Sequence, residues 1–300
     1  MNLNLNRNIK KIILPQFVTT IQDEMIYGGY FAAFAGPAFL ITVSILTKTN
    51  VNLPLLIISF LIPLMVYSYD YYKDMDKDME SNLERAMHYN KKSKIYPYLM
   101  ISYISILTIL LIFYSSLEMM LFILVLVMVG VLYTVGLKKF TKKIPAFKNI
   151  YTTLTWSLAG TFSLPFYYSL HINLTYILIF LCIFLKFLPN TIFFDLKDIN
   201  SDQKDELKTL PVLLGKERTF KLLHRLNIIA FIPLFIGIYL KVIPLFAVIL
   251  ILFYFYSVYY INKAKKSDDK ELRMVSHTLA DGEFVILWPL LLIITKTIGL

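Results

Sequence analysis

The chain has 300 residues, of which 57% are hydrophobic and 15% aromatic, whereas a soluble domain would be only about 45–50% apolar. Its net charge of +10 would suggest a nucleic-acid partner in a soluble protein, but the recurrent long uncharged runs exclude that class and mark a multi-pass membrane protein. The single cysteine, Cys182, lies inside an apolar run, which excludes an internal disulfide and any cysteine-based metal cage.

In chain order, a basic lead-in over 1–24 carries Arg7, Lys10 and Lys11 but no apolar stretch with a small-residue cleavage site, so it reads as cytosolic rather than as a signal peptide. Segments of spanning size follow at 25–46, 51–69, 95–114, 119–137, 150–170, 174–194, 226–240, 242–261 and 284–300. Each is close to the ~20 residues that cross the hydrocarbon as a helix. The stretch 226–261 is too long for one span, and Lys241 and Pro244 divide it. The expectation is an all-α membrane protein forming one domain over 1–300, with nine transmembrane helices and a cytosolic N-terminus. With that orientation, 26 of the 30 Lys and Arg fall on the inner side, and the outer side keeps Lys48, Lys241 and Lys296. This alternation is the positive-inside pattern. It accounts for the basic balance, and nothing in the sequence calls for a nucleic-acid or obligate protein partner. The outer loops are short, whereas the inner loops are long and charged.

Eleven of the 20 carboxylates lie in two of those inner segments, 70–84 and 195–206. Asp70, Asp74 and Asp78 are spaced i, i+4, i+8, and Asp195, Asp198 and Asp202 are spaced i, i+3, i+7. The first set lies along one face if the second helix continues outward, and the second set likewise falls on one helix face. Like charges four apart on a helix repel by about 0.2–0.5 kcal/mol per pair, so two such stripes at the ends of apolar spans call for a counter-charge. Oxygen ligands without His or Cys suit Mg²⁺, which uses one or two carboxylates together with water and phosphate oxygens. Nearby lysines and arginines suit a phosphate. Two other readings stand beside this one: solvated loop charge, and a cation transporter. A transporter would place its charges near the bilayer midplane, not at one mouth. Lys186, inside a span, is either a cavity residue or one paired within the bundle.

The two stretches resemble the motifs of the UbiA superfamily of intramembrane prenyltransferases. DYYKDMDKD, from Asp70 to Asp78, aligns without a gap with that group's N-D-x-x-D-x-x-x-D motif. Asp70 stands for the Asn and Tyr71 for the first Asp. DLKDINSDQKDELKTLP, from Asp195 to Pro211, is similar to the second motif and its Thr-Leu-Pro segment. LYTVGLKKF supplies Tyr133 and Lys138, and IPAFKNIYTTLTW supplies Lys148 and Asn149.

The resemblance implies nine helices around a central cavity, with cytosolic cap loops after helices 2 and 6. It implies Mg²⁺-dependent transfer of a prenyl group from a polyprenyl diphosphate to an aromatic or lipid acceptor, with pyrophosphate released. Catalytic roles would fall to Asp70, Asp74, Asp78, Asp195, Asp198 and Asp202. All of these except Asp195 would be direct metal ligands, with Asp195 assisting. Lys138, Lys148, Arg85 and Tyr133 would bind the diphosphate. The expected location is the plasma membrane, with the site facing the cytosol. A glycerol-phosphate ether-lipid acceptor is one specific alternative, and a non-catalytic lipid-binding relative is another.

Overall fold

The computed structural model describes residues 23–298, so most of the expected lead-in over 1–24 lies outside the described residues. Every described element is helical. The chain runs through α1 (Tyr30–Thr47), α2 (Leu53–Lys73), two short helices α3 (Met75–Ser81) and α4 (Leu83–Lys92), α5 (Tyr96–Tyr114), α6 (Leu117–Val135), α7 (Phe147–Tyr167) and α8 (Leu174–Asp195). After these come α9 (Ile199–Lys204), α10 (Leu210–Ile229), α11 (Ile232–Tyr239), α12 (Leu252–Lys265), α13 (Asp269–Val275) and α14 (Trp288–Ile298).

Local chemistry sets several starts. Asn52 accepts a hydrogen bond from Leu55 N at 3.0 Å and is followed by Pro54 in the first turn of α2. Ser116 caps α6 through Met119 N at 3.0 Å, and Asn173 caps α8 through Thr175 N at 3.0 Å. In each case the cap satisfies an N–H that the helix itself leaves open.

Among the described residues, eight helical stretches are long and apolar enough to cross a membrane. The expected fifth span folds as α7, a helix of 21 residues. Its Thr and Ser residues keep it less apolar than the others, and four of them, Thr153, Ser157, Thr161 and Ser163, are buried. α7 packs against α8, α1 and α6 at the centre of the bundle. Lipid supplies little hydrophobic drive between helices, so their contacts rest on close packing and hydrogen bonds. A Cβ on Gly36 of α1 would fall 2.0 Å from the Ser59 carbonyl oxygen of α2, and one on Gly160 of α7 would fall 2.8 Å from Phe39 Cβ of α1. By contrast α5 and α6 turn large side chains outward, among them Ile101 and Phe113, 61% and 75% exposed.

Two boundaries differ from expectation. The seventh spanning stretch begins at Leu210, not 226, because the charged segment up to Arg225 is also helical. The ninth begins at Asp269, not 284. It passes through two π-helical turns, Ser276–Ala280 and Glu283–Leu287, which widen the helix before α14. The loops expected after the second and sixth spans are themselves folded as α3, α4 and α9. A second apolar cluster, including Phe193, Leu196, Phe220, Leu223, Tyr260 and Leu272, packs the end of α8 against α10, α12 and α13. It gives the second acidic stretch a rigid base.

Candidate active site

A cavity of about 460 Å³ opens between the helix ends and runs into the bundle. Its body is walled by apolar and small side chains such as Ile62, Val66, Leu126, Ala159 and Gly160, and its mouth carries Asp70, Arg85, Lys148, Asp195 and Asp198. Both acidic stretches therefore reach one space, one from the end of α2 and the other from the end of α8.

On the α2 side, Asp70 accepts a hydrogen bond from Thr134 Oγ1 of α6 at 3.0 Å, and Lys138 Nζ lies 4.0 Å away. Asp74, where α2 gives way to α3, is paired with Lys138. Lys73 ties the same corner to the Thr134 carbonyl at 3.1 Å. Asp78 is buried and is held by Arg85 in two contacts, Nε at 2.7 Å and Nη2 at 2.8 Å. Burial disfavours the Arg85 charge, but the Asp78 partnership and neighbouring groups outweigh it and hold the guanidinium pKa above its usual range.

On the α8 side, Asp195 is 1% exposed. It receives Lys148 Nζ at 2.7 Å and Asn149 Nδ2 at 2.8 Å, both from the first turn of α7. Ala146, in the left-handed region at φ 57°, turns the chain into that helix, and its N–H bonds to the Lys208 carbonyl at 3.1 Å. Lys208 N in turn donates to the Thr141 carbonyl at 2.8 Å. The Thr-Leu-Pro segment is thereby tied to the loop that delivers Lys148. Asp198 pairs with Lys197 at 2.5 Å. Asp202 is buried, and its Oδ2 has no hydrogen-bond partner among the described residues.

Of the residues singled out in the sequence, Asp70, Arg85, Tyr133, Lys148, Asp195 and Asp198 line the cavity; Asp74, Asp78, Lys138 and Asp202 are near these in the chain or paired with them but are not lining residues. Lys186 is not a wall residue. It is fully buried and pairs with Glu283 at 2.8 Å, with Asn227 and Ser257 as further partners at 2.9 and 2.5 Å. Asn190 does face the cavity, and its Nδ2 bonds the Ala280 carbonyl at 3.0 Å. Asp281 and Lys197 are wall residues that the motifs did not single out. Asp281 is visible in the sequence only as an acid entering the last apolar run. Among the many aromatics, Tyr67 and Trp156 face the cavity, joined by a 3.2 Å bond from the indole N–H to the phenol oxygen. Phe187 lies beside Trp156, with ring centres 6.0 Å apart. Tyr133 stacks on Tyr151 at 5.1 Å.

The sequence profile of the UbiA prenyltransferase family matches residues 76–280. The chain belongs to the UbiA prenyltransferase family. It is an enzyme of that family and a multi-pass integral membrane protein. The matched span contains the whole second acidic motif but begins after Asp74, so the first motif is only partly inside it. No match is found among curated protein sequences.

Solved structures with the same fold include a digeranylgeranylglyceryl phosphate synthase, 17% identical, with a TM-score of 0.61 over 93% of this chain and 99% of that one. A UbiA homologue from Aeropyrum pernix K1 is 10% identical, with a TM-score of 0.63 over 90% of this chain and 98% of the other. A UbiA homologue from Archaeoglobus fulgidus, bound to DMAPP and Mg²⁺, is 17% identical, with a TM-score of 0.59 over 91% and 99%. At these identities the likeness establishes the UbiA fold.

The donor set suits Mg²⁺. The cavity wall carries, among the described residues, the carboxylates Asp70, Asp195, Asp198 and Asp281 and neither His nor Cys. Among the described residues no three of His, Cys, Asp and Glu converge into a cage of protein ligands alone. That is compatible with an ion that takes few carboxylates and completes its shell with water and phosphate.

Proposed function

We propose that this enzyme transfers a prenyl group from a polyprenyl diphosphate to an aromatic or lipid acceptor in the membrane, releasing pyrophosphate. The observation that carries the reading is one cavity with an apolar body and a mouth bearing carboxylates and the cations Arg85, Lys148 and Lys197. A prenyl diphosphate has the same division: a long hydrocarbon tail and a highly charged head. The tail would occupy the space beside Ile62, Leu126 and Phe187, and the head would meet Lys148 and Arg85. Asp70 with Asp74, and Asp198 with Asp202, are the groups we assign to holding Mg²⁺, with Asp195 fixing Lys148 and Asn149. When bound, the ion supplies charge to stabilise the leaving pyrophosphate.

The chain's own contribution follows from its geometry. Lys148 and Arg85 offer donors where negative charge develops on the leaving group. The apolar walls keep water from the allylic carbon. The faces of Tyr67, Trp156 and Phe187 offer their negative quadrupole to positive charge on that carbon. We read the bundle as nine spans in one domain, with α7 as the fifth, in the plasma membrane and with the mouth on the cytosolic side. The sequence YTVGLK, with Lys138 one residue farther from Tyr133 than is common in the family, looks more like the ether-lipid and homogentisate branches than the hydroxybenzoate one. A glycerol-phosphate ether lipid is one specific acceptor we put forward for the test.

The test is pyrophosphate release from labelled geranylgeranyl diphosphate by the purified full chain in detergent, with and without Mg²⁺, across a panel of aromatic and lipid acceptors. Mg²⁺-dependent release coupled to product formation is expected. Absence of release with every allylic diphosphate and acceptor would overturn the assignment.

A further inference from the structure

We propose that Asp78 is not a metal ligand in this enzyme but, with Tyr71, the seat that positions Arg85 for the diphosphate. The inference rests on the functional reading above and changes the roles of two positions within it. Tyr71 is the residue that stands where the family motif has an acid.

Four observations carry it. Both Asp78 oxygens are occupied by one guanidinium, Oδ2 by Nε at 2.7 Å and Oδ1 by Nη2 at 2.8 Å, so neither is free for an ion without breaking a two-pronged pair. Asp78 is 5% exposed, and the cation it grips, Arg85, lines the cavity together with Tyr71. The Arg85 guanidinium carbon lies 4.3 Å from the centre of the Tyr71 ring, so the cation is held at its edge by charge and at its face by the aromatic quadrupole. The Tyr71 ring is itself fixed. Tyr89, one turn after Arg85 on α4, meets it edge-on at 5.9 Å, and Tyr67 stacks on it at 5.8 Å. Gly29, at φ 80°, turns the backbone past the Tyr67 and Tyr71 side chains.

The helix interruption between α3 and α4 makes this geometry. Asn82, at φ −145° and ψ 66°, ends one helix and starts the next, so α4 folds back and brings Arg85 to Asp78 seven residues earlier. An acid at position 71 would add a second anion beside Asp70. A tyrosine instead supplies a surface for a cation. The guanidinium has five N–H donors and spends two on Asp78, so its fork keeps donors for a phosphate entering the cavity. At this corner the protein supplies fixed positive charge where the family motif would supply another carboxylate.

Binding of geranyl diphosphate to the full-length protein in detergent, followed by tryptophan fluorescence (Trp156 is on the cavity wall), tests this apart from turnover, across a Mg²⁺ titration. Asp78→Asn and Arg85→Lys are each expected to weaken geranyl diphosphate binding roughly tenfold. Their combination should be no weaker than the worse single variant within about threefold, because Asp78 acts only through Arg85. The Mg²⁺ concentration for half-saturation should stay within about twofold of wild type in all three, whereas Asp70→Asn should raise it. Tyr71→Leu should weaken binding about threefold at unchanged Mg²⁺ dependence.

A tenfold rise in the Mg²⁺ requirement of Asp78→Asn, or multiplying losses in the double variant, would overturn the seat. Should Asp78→Asn not fold, Arg85→Lys decides alone: loss of affinity at unchanged Mg²⁺ half-saturation is required, and unchanged affinity overturns the proposal. Wild-type protein that bound neither geranyl nor geranylgeranyl diphosphate would overturn the functional reading itself.

Discussion

Asp195 and Asp198 are three residues apart, yet their surroundings differ sharply. Both line the cavity, but Asp195 has one oxygen taken by Lys148 and the other by Asn149, while Asp198 is partly exposed with Lys197 beside it. The first carboxylate is therefore committed to holding the start of α7, and the second is available to a ligand. Asp198→Ala should lower kcat for pyrophosphate release by about a thousandfold or more while leaving the thermal unfolding midpoint within a few degrees of wild type. Asp195→Ala should do both kinds of damage, because it frees Lys148 from its partner and leaves the buried Asn149 amide without its acceptor. A variant of Asp198 with full turnover would remove that residue from the site.

The spacing of the six acids was legible in the sequence because helical periodicity puts them on faces. Which face meets the cavity was not, since periodicity says nothing about what lies opposite. Nor was the end of each helix: α2 stops at Lys73 and α8 at Asp195, so Asp74, Asp78 and Asp202 do not continue the face that carries Asp70 and Asp195. Asp281 escaped the motifs because it lies between two π-helical turns, where the 3.6-residue register no longer tells which way a side chain points.

At the scale of elements, the sequence located the apolar centre of every long helix but misplaced the ends of two. The stretch 210–225 is charged and amphipathic, so hydropathy does not count it as part of a span, yet α10 begins there with Thr209 before it and Pro211 in its first turn. Gly215 bends this helix at φ 75° and ψ 163°, a region essentially closed to other residues. A Cβ there would meet no neighbour within 4 Å, so Gly215→Ala isolates the backbone term. It should cost about 1–3 kcal/mol, read as a lowered unfolding midpoint in detergent. An unchanged midpoint would mean that the bend is not required.

A second element-scale device joins α8, α10, α12 and the wide segment before α14. Lys186 bonds Asn227 and Ser257 and pairs with Glu283, whose other oxygen accepts from Ser257 and Tyr260 at 3.1 Å each. Removing one charge strands the other in an apolar bundle. Lys186→Met alone should destabilise by about 3–5 kcal/mol, and adding Glu283→Gln should recover much of it. Retention of wild-type stability by the single variant would show that the pair does not hold these helices together. The sequence marked Lys186 as unusual, but its partner lies 97 positions away and could not be read from one chain.

For the whole molecule, the deciding quantity is the side on which each loop emerges. The less apolar α7 is the critical element: if it did not cross, every later loop would change sides. Then the basic loop at 197–225 would lie opposite the one at 138–148, although Lys208 is hydrogen-bonded to Thr141 and Lys148 to Asp195. Those contacts put both acidic stretches at one end of the bundle. The orientation proposed above, from the positive-inside bias, puts that end in the cytosol. The native cysteine, Cys182, is buried, so single cysteines introduced at exposed sites report on topology with low background. In intact cells, Lys241→Cys, in the short turn after α11, should react with a membrane-impermeant maleimide. Lys266→Cys, just after α12, should react only after the membrane is permeabilised. The reverse pattern would invert the molecule and place the diphosphate mouth outside, away from the cytosolic supply of substrate that the proposed reaction needs. Equal labelling of both positions in intact cells would break the alternation between α11 and α12 and with it the nine-span reading.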